Sequence, residues 1–166
     1  MTDREFELLV RSEAGKLFRV AWGILGQESD AWDALQEATL AAYKTRHQLR
    51  GGAAAFPAWF RRVLINRCLN VLRARRKVVP VAPETLPEPE PLPSLEHHVD
   101  GLVIWEALES LEHDQRQVVM LRYLADLSTE QVADVLQIPA GTVKSRLYRA
   151  LSRLRETMHQ DGRDIR

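Results

Sequence analysis

Residues 128–155, STEQVADVLQIPAGTVKSRLYRALSRLR, decide how the rest of the chain is read. Ser128 suits a helix N-cap, and Gln131 three positions on completes a capping box. Val132, Ala133, Val135 and Leu136 give the helix that follows an apolar side. Ile138, Pro139 and Gly141 interrupt the pattern. A proline near a helix start is tolerated because the N–H it lacks would be unpaired there. Val143, Leu147, Ala150, Leu151 and Leu154 then resume helical spacing.

On the second helix these apolar residues fall within a sector of roughly 100°. Thr142, Ser145, Arg149 and Arg153 lie opposite, flanked by Lys144, Arg146, Tyr148 and Arg155. Residues 140–155 hold five basic side chains and no acidic one. A short helix, a turn and a basic second helix with small polar residues near its start predict a helix-turn-helix. Its N-terminus and its Arg and Lys groups attract phosphates. Ser, Thr and Lys are short or flexible enough to reach base edges. A solvated amphipathic helix with a basic outer face is the alternative. The agreement of cap, turn, polarity and one-sided charge favours the DNA reader.

A chain of 166 residues holds one ordinary domain or two small ones. The composition, 45% hydrophobic and 28% charged, is that of a globular protein. The net charge of zero would argue against nucleic acid if it were spread evenly, and it is not. Residues 50–77 hold eight Arg or Lys and no acid; residues 78–115 hold nine Asp or Glu and no Arg or Lys. Two cationic segments thus flank an anionic middle, so local fields matter more than the sum. The single cysteine, Cys68, excludes an internal disulfide and sits in an apolar helical stretch, which predicts a buried thiol in a reducing compartment. The five histidines make no metal-ligand spacing with it. No Gly-rich phosphate loop, paired-acid site or nucleophile–base arrangement stands out, so neither an enzyme nor a cofactor is expected. The charged start TDREFE and the lack of a long apolar run predict a cytoplasmic protein with no membrane insertion.

In chain order, residues 6–25 read as a helix ended by Gly26. A second helix, capped by Ser29 or Asp30, runs to about Leu49 on Ala31, Leu35, Ala38 and Ala42. Its acidic edge, Asp30, Asp33 and Glu37, either answers the helix dipole or docks a basic partner. Residues 51–55, GGAAA, read as a flexible loop before Phe56-Pro57. A third helix runs from about Ala58 to Arg76, with Trp59, Phe60, Val63, Leu64, Cys68, Leu69 and Leu72 inward. Arg61, Arg62, Asn66, Arg67, Asn70 and Arg73 make its other side polar and basic. That side is either a solvated cationic face or a nucleic-acid surface offering stacking, amide hydrogen bonds and phosphate pairing. Residues 79–94 carry six of the eight prolines and read as an extended acidic linker, able to reach about 60 Å. Residues 102–111 predict a short helix, and Asp114 a cap for the next. Val118, Leu121, Leu124, Trp105 and Leu108 then pack under the helix-turn-helix. The tail after Glu156 reads as frayed.

With both halves laid out, the chain resembles an extracytoplasmic-function sigma factor, the small two-domain class of the bacterial sigma-70 family. LEHDQRQVVMLRYLADLSTEQVADVLQIPAGTVKSRLYRALSRLR is similar to family region 4, most specifically through GTVKSRL, residues 141–147. LFRVAWGILGQ, DAWDALQEATLAAY and FPAWFRRVLINRCLNVLRARR are similar to region 2. The resemblance implies an all-α fold of two small helical domains joined by the Pro-rich acidic linker: 1–78, linker 79–99, and 100–160.

It implies a transcription initiation factor that binds core RNA polymerase at the β′ clamp and β flap and melts promoter DNA. Asp30, Asp33, Gln36 and Glu37 match the clamp-docking positions, which tips the second helix toward the docking reading. Trp59, Arg62, Asn66, Asn70 and Arg73 match the −10 face, and residues 51–56 the loop that captures a flipped base. Thr142, Lys144, Ser145, Arg146 and Arg149 match the −35 helix. An anti-sigma factor is the implied regulator. Two positions depart from the family pattern: Trp32 stands where an acid is usual, and Asn70 where Asp is common. A one-component or response-type regulator is the alternative. Its first half would be a sensor or receiver domain rather than helices ending in a basic one. A third reading is a protein that only sequesters partners.

Overall fold

In a computed structural model, which describes residues 1–75 and 102–160, all regular structure among those residues is helical. The chain divides into two compact units, Met1–Arg75 and Arg76–Arg166. The expected linker, residues 79–94, lies outside the described residues, as do Arg76 and Lys77. No described helix is long and apolar enough to cross a membrane.

The first unit packs three helices, each against the other two: α1 (Asp3–Leu25), α2 (Glu28–Thr45) and α3 (Gly52–Ala74). Helix α1 starts earlier than its apolar spacing predicts, because Thr2 and Glu5 form a capping box. The Thr2 backbone N–H, then its hydroxyl, hold the Glu5 carboxyl below its ordinary value. The box therefore contributes fully above the usual carboxylate range and is lost as pH falls through the lowered value. Gly26 ends α1 at φ 76°, a left-handed conformation that glycine adopts without Cβ strain. Helix α2 begins at Glu28, before both expected caps, with Gln27 at the N-cap making no side-chain cap bond. The expected set Ala31, Leu35, Ala38 and Ala42 is buried. The helix tightens into a 3₁₀ turn at Arg46–Gln48 before Leu49.

The largest correction concerns residues 52–57. GGAAA is not a loop: α3 begins at Gly52 and carries Pro57 inside its second turn. Three alanines, the best helix formers, outweigh the signals of Gly-Gly and Phe-Pro. Phe56, with 0% exposure, anchors the turn. Its ring meets Phe6 edge-on at 5.7 Å, Phe60 at 5.2 Å and Trp59 at 5.8 Å. Gly51 and Gly52 both keep a left-handed φ, 96° and 65°, and at Gly51 a Cβ would come within 3.1 Å of the Ala55 Cβ. Ile65 joins the buried face, whereas Trp59 and Val63 sit half-buried at its margin.

The second unit holds α4 (Leu102–Glu109), α5 (His113–Tyr123), α6 (Thr129–Leu136) and α7 (Ala140–Gln160). Helix α7 packs against α4, α5 and α6. Trp105, Leu108, Val118, Leu121 and Leu124 are buried as expected. Glu112, not Asp114, is the N-cap of α5, and Asp114 sits in its first turn. Helix α5 stops at Tyr123, short of the LADL that follows; Asp126 takes φ 55° and the Leu127 N–H returns to the Leu121 carbonyl at 3.2 Å. Arg116 and Gln117 are buried among the apolar residues, which no periodicity announces. Burial lowers the Arg116 pKa, and the Glu109 carboxylate partly offsets that. Helix α7 continues to Gln160, past the expected fraying point at Glu156.

Two consequences are measurable. Phe56→Ala should cost about 3–5 kcal/mol in denaturant unfolding of the full chain, as large-to-small core changes do; a loss below about 1 kcal/mol would remove Phe56 as an anchor. Cys68 is fully buried, and desolvation pushes its thiol up to about 12. It should therefore resist a thiol reagent at pH 8 in the native protein and react at once in denaturant.

Candidate nucleic-acid interface

The helix-turn-helix forms as its sequence predicts. The Ser128 hydroxyl accepts from the Gln131 N–H at 3.1 Å, and the Gln131 side chain accepts from the Ser128 N–H at 2.8 Å. Gln137 closes α6 at φ 54°, and the Thr142 N–H donates to the Pro139 carbonyl at 3.0 Å to start α7. Val143, Leu147, Ala150, Leu151 and Leu154 are all buried, at 2% exposure or less. Fixing that stripe leaves Arg149 and Arg153 exposed, with Tyr148 beside them at 54%. Thr142, Lys144 and Arg146 are half-buried near the N-terminal end.

Of the five expected −35 residues Arg149 is exposed, Thr142, Lys144 and Arg146 are half-buried, and Ser145 is buried. Ser145 is 3% exposed and its hydroxyl donates to the Thr142 carbonyl at 3.1 Å. A short hydroxyl satisfied by its own helix offers little to a base edge. Arg146 lies 3.6 Å from the Asp114 carboxylate, on the first turn of α5. A shallow cavity of about 550 Å³ runs along the exposed face of α7, lined by Gln115, Tyr148, Arg149, Ser152 and Arg153 among others. Tyr148 and Arg153, outside the set the resemblance implies, stand on the same open face beside Arg149.

On α3, Trp59, Arg62, Asn66, Asn70 and Arg73 follow one another at spacings of three and four and so share a face. Arg62, Asn66, Asn70 and Arg73 are exposed; Trp59 is half-buried, its ring held against Phe56. The stripe thus joins an indole edge to two amides and two guanidiniums. The start of α3 at Gly52 leaves no loop at residues 52–56 to capture a base.

On α2, Asp33, Gln36 and Glu37 are exposed. Asp30 is different. Its carboxylate is ion-paired with Arg75 just past the end of α3, and only 31% of the side chain is exposed. An exposed ion pair contributes roughly 0–1 kcal/mol, so this contact matters for geometry more than for stability. Trp32, 48% exposed, stacks on Phe18 of α1 at 4.3 Å and 29°. Its aromatic contact ties α2 to α1, which an acid at that position would not do. Among the described residues no three His, Cys, Asp or Glu side chains gather as metal ligands.

The contrast between Arg149 and Ser145 gives a direct check. Arg149→Ala should weaken binding to a −35 duplex about fivefold or more and reduce the salt slope by about one. Ser145→Ala should leave affinity within about twofold, as a hydroxyl already satisfied inside the helix would. The reverse ranking in salt-titrated binding would overturn this placement of the helix face.

The sigma-70 region 2 family model matches residues 9–78, and the sigma-70 region 4 model matches residues 101–154. The RNA polymerase sigma-E factor of Streptomyces antibioticus is 39% identical over 162 residues, covering 98% of this chain and 89% of that protein. The ECF RNA polymerase sigma factor SigM of Mycobacterium tuberculosis is 35% identical over 150 residues, covering 90% and 74%. Among solved structures, the sigma factor RpoE of Bartonella quintana, crystallised with the anti-sigma factor NepR, shares 26% identity over 95% of this chain and 96% of its own, at a TM-score of 0.46. With regions 2 and 4 both present and relatives matched along nearly its whole length, the chain belongs to the extracytoplasmic-function class of the sigma-70 family of RNA polymerase sigma factors.

Proposed function

We propose that the chain divides its work between its units: the first docks on the β′ clamp of core RNA polymerase and engages the −10 element, and the second reads the −35 element. The observation that carries this is the one-sidedness of α7, where every apolar side chain of the stripe is buried and Arg149 and Arg153 remain outside. A second exposed stripe on α3 supplies the other reader. Amides and guanidiniums beside an indole suit unstacked bases and the backbone of a single strand. The exposed acids Asp33 and Glu37 on α2 suit a basic polymerase surface, with Gln36 beside them. Domain limits of 1–78, 79–99 and 100–160 fit this division, with the acidic linker passing along the polymerase's RNA path and region 4 meeting the β flap. The factor works in the cytoplasm with the polymerase, and an anti-sigma factor holds it inactive until a signal arrives. Its energy comes from binding; no bond is made or broken by its own side chains.

Asn70 gives the −10 stripe a character of its own. An amide donates and accepts, whereas the Asp common in the family only accepts. The −10 preference should therefore shift toward a base edge offering an acceptor at that position.

Run-off transcription with purified core enzyme tests the whole reading. The full chain should direct initiation from a cognate promoter, and Asp33→Lys with Glu37→Lys should weaken holoenzyme formation about tenfold or more while leaving the helical circular-dichroism signal intact. Normal co-elution of that variant with core enzyme would refute the docking assignment; the lack of any transcript and any holoenzyme with the natural chain would refute the initiation reading.

A further inference from the structure

Asp30 sits on the helix read as the docking surface, yet its carboxylate is turned inward to the molecule's own Arg75. The arginine stands where three helix ends meet. Its backbone N–H closes α3 by donating to the Leu72 and Val71 carbonyls at 3.1 and 3.2 Å. Its side chain reaches the Leu25 carbonyl at the C-terminus of α1 at 3.3 Å and the Asp30 carboxylate in the first turn of α2. One guanidinium thus serves an unpaired carbonyl at the negative end of one helix and a carboxylate at the positive end of the next. Its rigid fork of donors suits two acceptors at fixed spacing, which a flexible ammonium would not hold.

The consequence falls on α3. Arg73 and Asn70, the last members of its exposed stripe, lie two and five residues before Arg75. An unfastened end would move them first, since terminal turns fray before the interior. Asp33 and Glu37 lie one and two turns further along α2, exposed rather than turned toward Arg75. The acids of α2 therefore separate into Asp30, paired with Arg75 of the α3 end, and Glu28, Asp33 and Glu37, which are exposed.

We propose that Asp30 is a positioning residue: its ion pair with Arg75 fastens the end of the −10 helix to the junction of α1 and α2, while the polymerase-facing contacts of α2 belong to Asp33 and Glu37. This rests on the reading of α2 as the docking helix. It adds Arg75 to the residues that shape promoter recognition and removes Asp30 from those that touch core enzyme.

A charge-swap cycle tests it. Asp30→Arg, Arg75→Asp and the double reversal are compared in the full chain. Affinity for core polymerase is measured first, and then holoenzyme affinity for a single-stranded non-template oligonucleotide carrying the −10 element. Each single reversal should weaken the oligonucleotide about threefold to tenfold and leave core affinity within about twofold; the double reversal should return the oligonucleotide to within about twofold. If Asp30 instead touches the polymerase, Asp30→Arg lowers core affinity, Arg75→Asp does not, and the double variant stays impaired; that pattern overturns the proposal. Singles that leave oligonucleotide affinity unchanged overturn it equally. Should a reversed single lose its helical signal, Asp30→Asn and Arg75→Gln replace the singles, with the same direction expected. The Asp33→Lys, Glu37→Lys variant runs alongside. If it binds core enzyme normally, the docking reading of α2 has failed, whatever the cycle shows for Asp30 and Arg75.

Discussion

Helix α7 cannot turn about its own axis, and the second unit's function depends on that. Five apolar side chains lock it against α4, α5 and α6. Rotation by one residue, about 100°, would carry most of that stripe into water, and each fully buried aliphatic side chain is worth roughly 1.5–3 kcal/mol over exposure. The cations have no comparable hold on the helix. Arg149 and Arg153 therefore point outward because the stripe points inward, and the phosphate-seeking face is a by-product of core packing.

The same logic governs α3, with aromatic rings in place of aliphatic ones. Phe56 is surrounded by Phe6, Phe60 and Trp59, and Phe6 in turn meets Tyr43 edge-on at 5.4 Å. Tyr43 is itself engaged by Arg46, whose guanidinium lies 3.9 Å from the ring centroid and bonds Asp3 at 3.1 Å. A chain of contacts thus runs from the N-terminal turn of α1, through the core, to the indole on the exposed stripe. Such a route explains why Pro57 does not break α3. Proline removes one early hydrogen bond, but the helix on either side is held by buried rings rather than by backbone bonds alone.

Much of this was legible in the residues. Periodicity placed the buried stripe of α7 residue by residue, and the Ser128–Gln131 box needed only a spacing of three. What escaped was of two kinds. Where local signals conflicted, as in GGAAAFP, the breakers were more conspicuous than the helix formers, and tertiary burial of Phe56 decided the outcome. Where a polar residue's surroundings come from distant elements, sequence spacing is silent. Ser145 reads as outward by its angle yet is buried, and Asp30 reads as part of an acidic edge yet is paired with a residue 45 positions away. Family likeness supplied roles for both, but only geometry distinguishes a side chain that faces a partner from one that faces its own fold.

Charge shows the same division. A net charge of zero conceals local roles that the fold assigns one side chain at a time. Arg75 is ion-paired with Asp30, and Arg146 approaches Asp114, while Arg62, Arg73, Arg149 and Arg153 are exposed. Cations near a carboxylate are partly neutralised before any nucleic acid arrives, so the count of basic residues overstates the phosphates the protein can neutralise. The cations open to a phosphate are the exposed subset. That subset is set by helix packing: the buried faces of α3 and α7 determine which guanidiniums meet a carboxylate of the same chain and which are left for DNA.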